Sequence, residues 1–470
     1  MLKLTHSALQ VLLVFAIAWG GVVGQPIIQS AGLLPGMAFA FADDDDDDGG
    51  DDDGGGRGGF GDGGGNSGGD RDDDDRPRGD LRSLFRWPFQ RAERNQPRRQ
   101  APIIPDRAPN EIVAIGLSEA SITDLTQDGF TVDDRQPIAL TGGELVRLTI
   151  PPGMTLVTAR QAVADAAPSA SVDFNHFYQP EQQEAPICTG NGCTLIRHIA
   201  GWPLQATTAE MTSCAAPAPI GLIDTAINER HSSLADAGIN VIRLSSDKAP
   251  QSAEQHGTAV AALLVGAVGS RAPGLVPTAQ LVAIDAFQRY RKTADIADVY
   301  DLIRSLDLMA ERGIRIVNMS LSGPHNLLFE KAVGAAIDKG TILIAAAGNE
   351  GPKAKPVYPA AYADVIAVTA VDRQMKPYRR AVRGDHIDIA APGVGVWTAA
   401  SISGGRQKSG TSFAAPFVTA AASLMLGANP QMLPKEVAEE MTRMASDMGE
   451  PGKDAVFGWG LLNIRALCQS

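Results

Sequence analysis

Between residues 205 and 468, short runs built almost entirely from Val, Ile, Leu and Ala occur at 220–223, 281–286, 314–319, 342–346 and 365–370. Stretches with helical apolar spacing separate them at 258–268, 296–312 and 327–339. A strand that faced water on one side would alternate apolar with polar residues; a strand with no polar face needs cover on both. The alternation with helices therefore predicts an α/β domain, a parallel sheet with helices on both faces. In such sheets ligands bind beyond the carboxyl ends of the strands, so reactive groups are to be sought just after these runs.

The region before this domain has a different character. Residues 108–180 read as strand, helix, strand, strand, helix, strand: a small α+β unit with the ferredoxin-like order. Upstream, residues 43–80 hold sixteen Asp against four Arg, which accounts for twelve of the thirteen net negative charges of the chain. So polar and Gly-rich a segment buries too little surface to offset its ordering entropy and reads as disordered. The negative charge thus says nothing about the partners of the folded part. These Asp residues also lack the spaced pattern of a calcium loop. Residues 81–107, rich in Arg and Pro, read with 43–80 as linker, and a solvated linker is the better account of their charge than a nucleic-acid patch. At the N-terminus, Lys3 and His6 precede an uncharged apolar stretch at 8–24, the form of an export signal. Residues 1–42 are expected to be a cleaved signal peptide or a retained membrane anchor. Four cysteines fit an oxidising compartment: Cys188 and Cys193 bracket four residues, Cys214 and Cys468 bracket the main domain, and three pairings remain open. The C-x4-C spacing with distant partners is weak for zinc.

Three segments of the main domain run into reactive side chains. Asp224 closes the run that begins at Ile220, His256 with Gly257 opens a helix, and Ser412, after Gly410 and Thr411, opens another. Singly, such residues are ordinary turn, surface and capping residues. Together they are the parts of a nucleophilic hydrolase: a serine is a weak nucleophile until a base takes its proton, and histidine does so near neutral pH. A carboxylate on the other ring nitrogen fixes the tautomer and stabilises the imidazolium.

The chain resembles the subtilisin-like serine proteases in the order Asp, His, Ser and in six ordered motifs: Leu222 to Thr225, His256 to Ala261, Asn318 to Gly323, Ala346 to Gly351, Ala391 to Gly393 and Gly410 to Pro416. The similarity spans roughly 205–468. The resemblance implies a secreted serine endopeptidase in which Ser412 is the nucleophile, His256 the base and Asp224 its orienting carboxylate. Asn349, with the Ser412 N–H, holds the oxyanion. It further implies that Ser320, Leu321, Ser322 and Gly323 pair with substrate backbone as an added strand, and that Ala346, Ala347 and Gly348 line a wall of the pocket for the P1 side chain. Where many relatives have Gly, this chain has Ser322, which narrows the rim and argues against large aromatic P1 residues. Phe413 replaces the Met often found after the nucleophile. No cofactor is needed for chemistry, and structural calcium is an expectation at unassigned sites. The unit at 108–180 resembles the family's inhibitory propeptide, which leaves 181–204 as connecting and processing segment, with a cut between Tyr178 and Gln205, and 205–470 as the catalytic domain. The implied partners are protein or peptide substrates and the chain's own propeptide, with no nucleic acid, and a membrane only if residues 1–42 are retained.

Overall fold

The computed structural model describes residues 104–181, 183–184, 191–202, 215–244, 249–291 and 293–468. The export segment, the Asp-rich run and most of the linker lie outside them. So do the side chains of all four cysteines, on which the disulfide expectation rests.

The upstream unit runs β1 (Arg107–Ile115), α1 (Glu119–Gln127), β2 (Thr131–Ile138), β3 (Gly143–Thr149), α2 (Leu156–Ala166) and β4 (Ser171–Pro180). Both helices start where a side chain satisfies an orphan amide: Ser118 accepts from Ser121 N and Thr155 from Thr158 N. Its sheet order is β2-β3-β1-β4, antiparallel throughout. On β1, Ile112 and Ala114 pack with Leu125 and Val163 of the unit's own helices. Val113 and Ile115 point the other way, into a core shared with the main domain. The sheet is thus covered twice, which is why residues 112–115 are all apolar.

A short strand β5 (Gln183–Glu184) follows. The main domain then contributes β6 (Ile220–Asp224), β7 (Ile239–Arg243), α3 (Glu254–Val265), β8 (Leu281–Asp285), β9 (Gln288–Tyr290), β10 (Ala294–Asp298), α4 (Val299–Glu311), β11 (Ile316–Met319), β12 (Leu321–Ser322), α5 (Leu327–Asp338), β13 (Ile342–Ala346), β14 (Ile366–Val371), β15 (Ile389–Pro392), β16 (Val396–Ala399), β17 (Gly405–Ser409), α6 (Thr411–Ala428) and α7 (Pro434–Met444). Seven of these strands form a sheet in the order β15-β14-β13-β11-β6-β8-β7, and every pairing in it is parallel. Helices α3 and α6 pack on one face, and α4 and α5 on the other. α6 is long and apolar enough to cross a membrane but is 89% buried in the fold, where it serves as the core helix.

Two expectations shift. Residues 296–298 are the end of β10 and not the start of a helix; α4 begins after Asp298, whose side chain caps it. α3 begins at Glu254, before the run of apolar residues, so His256 lies in its first turn.

Candidate active site

Asp224 is the last residue of β6, at the carboxyl edge of the sheet. Thr225 N donates to its Oδ1 at 2.7 Å, and His256 Nδ1 donates to the same oxygen at 2.7 Å. Both side chains are almost fully buried, so the contact is shielded from competing water. Close approach of α3 to the strand end requires Gly257: a Cβ there would lie 2.3 Å from Thr225 O. Its N–H is held by Thr225 Oγ1 at 2.9 Å.

Ser412 is the second residue of α6, where unpaired amides and the helix dipole favour negative charge. Pro416, four residues on, has no N–H to give the Ser412 carbonyl. Ser320 Oγ supplies the missing donor at 2.9 Å and accepts in turn from Asn318 Nδ2 at 2.9 Å. Thr419 Oγ1, further along α6, donates to Asn318 Oδ1 at 3.0 Å. This buried chain of side chains ties the first turn of α6 to β11. Ser412 Oγ donates to Ser320 O at 3.2 Å, and no hydrogen bond between Ser412 and His256 is found among the described residues. His256 Nε2 instead lies 3.4 Å from the carbonyl oxygen of Glu181.

Asn349 follows β13, and its Oδ1 accepts from Thr411 N at 3.1 Å and Thr411 Oγ1 at 3.2 Å. That fixes the amide so that Nδ2 faces the cleft, buried and without a hydrogen-bond partner. Gly348, with φ +100°, turns the chain behind it. Ala346 and Ala347 are fully buried. Neither they nor Gly348 are among the residues lining the cleft, which include Ser322, Gly323, Asn349 and Glu350. Glu350 Oε2 would sit 2.7 Å from a Cβ on Gly348.

Within the segment 320–323, Leu321 and Ser322 pair with a strand of this same chain, while Gly323 bridges to Tyr358. β12 pairs antiparallel with the end of β4, Leu321 opposite Pro180 and Ser322 opposite Gln179, while β10 pairs along the other side of the same segment. Tyr178 is fully buried and donates to Pro324 O at 2.8 Å. Its ring lies where a Cβ on Gly323 would fall, 2.4 Å away. Past Glu181, β5 pairs with β17, Gln183 opposite Ser409.

The sequence reading missed Asp285, Asn318, Glu350 and Glu181. Asp285 ends β8 in register with Asp224 and accepts from Ser252 Oγ at 3.0 Å; burial pushes its carboxyl up to about 6. Its signal was its place after the 281–286 run, the same place Asp224 holds after its own. Among the described residues no group of three or more His, Cys, Asp or Glu is placed to hold a metal, so the calcium expectation finds no carboxylate site there.

The chain is similar in sequence and fold to known proteins. The subtilase family, Peptidase_S8, matches residues 218–460. Minor extracellular protease Epr of Bacillus subtilis is 32% identical over 251 residues, which cover 53% of this chain and only 38% of that protein. Subtilisin DY of Bacillus licheniformis is 29% identical over 255 residues, 53% of this chain and 90% of the relative. Among solved structures, fervidolysin from Fervidobacterium pennivorans, described as a keratinolytic enzyme related to subtilisin, superposes with a TM-score of 0.65 over 79% of this chain and 62% of its own, at 18% identity, a likeness of fold.

Proposed function

Since this chain belongs to the subtilase family, we propose that it is an exported serine endopeptidase made as a self-inhibited zymogen, with Ser412 as nucleophile, His256 as general base and Asp224 as the carboxylate that orients it. The observation that carries the reading is the chain's own segment 178–181, lying as an added strand along β12 with a peptide carbonyl at His256 Nε2. An extended peptide held by main-chain bonds across a buried Asp–His pair is the ground state an endopeptidase needs. In the reaction His256 Nε2 takes the Ser412 proton as Oγ turns from Ser320 O to the substrate carbonyl carbon. Asn349 Nδ2 and the Ser412 N–H then share the oxyanion. Members of this family need no cofactor for catalysis.

The unit at 108–180 acts in this reading as the inhibitor, since it fills the substrate groove with its last strand. Tethering makes that contact effectively intramolecular, so it blocks the groove even where the free unit would bind modestly. Export follows from the charged, then apolar, N-terminus, in keeping with a relative named as extracellular. The test is Ser412→Ala beside wild type, purified free of host proteases. Peptide hydrolysis should fall by roughly 10⁴-fold or more; near wild-type turnover in the variant would refute the assignment.

A further inference from the structure

Glu181 stands where the chain crosses the active site. Tyr178 to Pro180 are held on β12 and β10 before it, and Gln183 and Glu184 on β17 after it. Between these anchors, the Glu181 carbonyl oxygen lies 3.4 Å from His256 Nε2. A Cβ built on Gly410 would be 3.1 Å from that oxygen and 3.2 Å from the unpartnered Asn349 Nδ2, so carbonyl and amide flank one point. Glu181 is 8% exposed, and its side chain is buried. It points into the cleft, where Ser322 Oγ donates to its carboxyl and Glu350 Oε1 lies 3.4 Å from the same hydroxyl.

We propose that the peptide bond on the carboxyl side of Glu181 is the bond by which this chain matures, and that Ser322 and Glu350 form the seat for the Glu181 side chain. The proposal rests on the endopeptidase reading above and deepens it by choosing the bond and the P1 residue. Ser412 Oγ forms a bond to the Glu181 carbonyl carbon as its proton passes to His256. The carbon–nitrogen bond breaks, that proton goes to the departing amine of residue 182, and water then hydrolyses the ester, leaving a Glu181 carboxylate and free Ser412.

The seat has an unusual chemistry, since it offers a P1 carboxyl one hydroxyl donor and a second carboxyl, with the Asn349 side chain also near it. Burial, and then the Glu350 carboxyl beside it, push the Glu181 carboxyl up to about 8. Of the other charged groups in the lining, Arg380 Nε is committed to Asn349 O at 3.2 Å and His325 Nε2 bonds Glu330 at 2.9 Å. Asp106 is paired with Arg107. Neither Lys355 nor Arg380 forms an ion pair with Glu181 or Glu350 among the described residues. Tyr358 also lines the cleft, Tyr378 feels the Glu181 charge, and His256 faces the main chain of Glu181 rather than its carboxyl. An acid whose seated value is raised is seated best when protonated. The gain is complete below its ordinary value near 4.5, is lost as pH rises to about 8, and is constant above. Glutamine, of the same shape and neutral, fits the seat at any pH.

The test follows the first cut of the full chain from pH 6 to 9 by intact mass of the earliest fragments, in wild type, Ser412→Ala, Glu181→Gln and Glu350→Gln. The upstream fragment should end at Glu181, and only with Ser412 present. Glu181→Gln should be cut at the same bond, with a rate that gains on wild type by up to about tenfold per pH unit until near pH 8 and then keeps a constant ratio. Glu350→Gln should weaken the dependence and end it at a lower pH in the chain that retains Glu181, because burial remains while the neighbouring carboxyl is gone, a change that a merely structural role would not produce. Earliest fragments ending elsewhere, still dependent on Ser412, overturn the bond and leave the endopeptidase reading standing. A Glu181→Gln to wild-type ratio flat across the range overturns the seat. Unchanged cutting in Ser412→Ala removes the self-cut altogether, and hydrolysis of an added peptide then decides the endopeptidase reading separately.

Discussion

Asn349 divides its amide between two tasks, its oxygen bound by Thr411 and its nitrogen held unpaired toward the cleft. Charge on the substrate oxygen exists only in the transition state, so Asn349→Ala should lower kcat by about 10²- to 10³-fold while KM hardly moves. Steady-state kinetics on the matured enzyme checks this, and a rise in KM with kcat intact would make Asn349 a substrate-positioning residue. Asp285 offers a second residue-scale test. Burial, its largest influence, raises its carboxyl to about 6 in the fold. The native state therefore binds this proton more tightly than the unfolded chain, and stability falls as pH rises through the interval between the two values. Asp285→Asn keeps an oxygen for Ser252 and Phe287 N and removes the titration. Its melting temperature should gain on wild type from about pH 4 to pH 6 and keep that lead above; a lead independent of pH would assign the effect to packing.

Among the elements, α3 and α6 carry His256 and Ser412, the proposed base and nucleophile, and both depend on close backbone approach or a substituted backbone bond. Gly257 lets α3 sit against Thr225. Gly257→Ala must push the helix off the strand end; overpacking of this kind costs about 1–3 kcal/mol. We expect a lowered urea midpoint together with a loss of kcat, since His256 adjoins the displaced turn, and normal activity at reduced stability would place the strain elsewhere. α6 illustrates the opposite device. A proline inside a helix removes a bond, here the one owed to Ser412 O, and Ser320 replaces it from the neighbouring segment. The first turn of α6 is thereby fastened to the segment that leads into β12, on which the chain's own residues 179 and 180 are paired.

In the whole molecule, the upstream unit and the main domain share one apolar core, in which Val113, Ile115, Leu145 and Tyr178 meet Tyr300, Leu306 and Phe329. Polar contacts frame it: Arg147 pairs with Asp298 at 3.1 Å, and Asp173 Oδ2 accepts from Leu327 N at 2.9 Å, at the start of α5. A chain held uncut by Ser412→Ala should therefore unfold with a single cooperative transition across 108–468. Adding Tyr178→Ala should cost about 3–5 kcal/mol, the usual loss for truncating a fully buried aromatic side chain. Denaturant unfolding followed by tryptophan fluorescence and by far-ultraviolet dichroism provides the check; two separate transitions in the Ser412→Ala chain would mean that the shared core contributes little.

Asp224, His256, Ser412 and Asn349 stood out in the sequence as candidates because each sits in a short motif set by local needs: a strand end, a glycine that admits close approach, a helix start. The parallel sheet was legible for a related reason, since a strand buried on both faces has no polar residues to hide its nature. The same rule, applied to residues 112–115, would have announced that the upstream sheet is covered twice. β7 escaped because it is an edge strand with a half-exposed pattern. Ser320's bond to the Ser412 carbonyl and Glu350's place in the cleft wall had no sequence signal at all. Sequence alone determined the kind of chemistry and the sheet that carries it, because those follow from local pattern. Only the tertiary structure decided what occupies the cleft, because Glu181 meets Ser322 across 141 residues of chain, and such a contact is set by how two separately patterned units pack together.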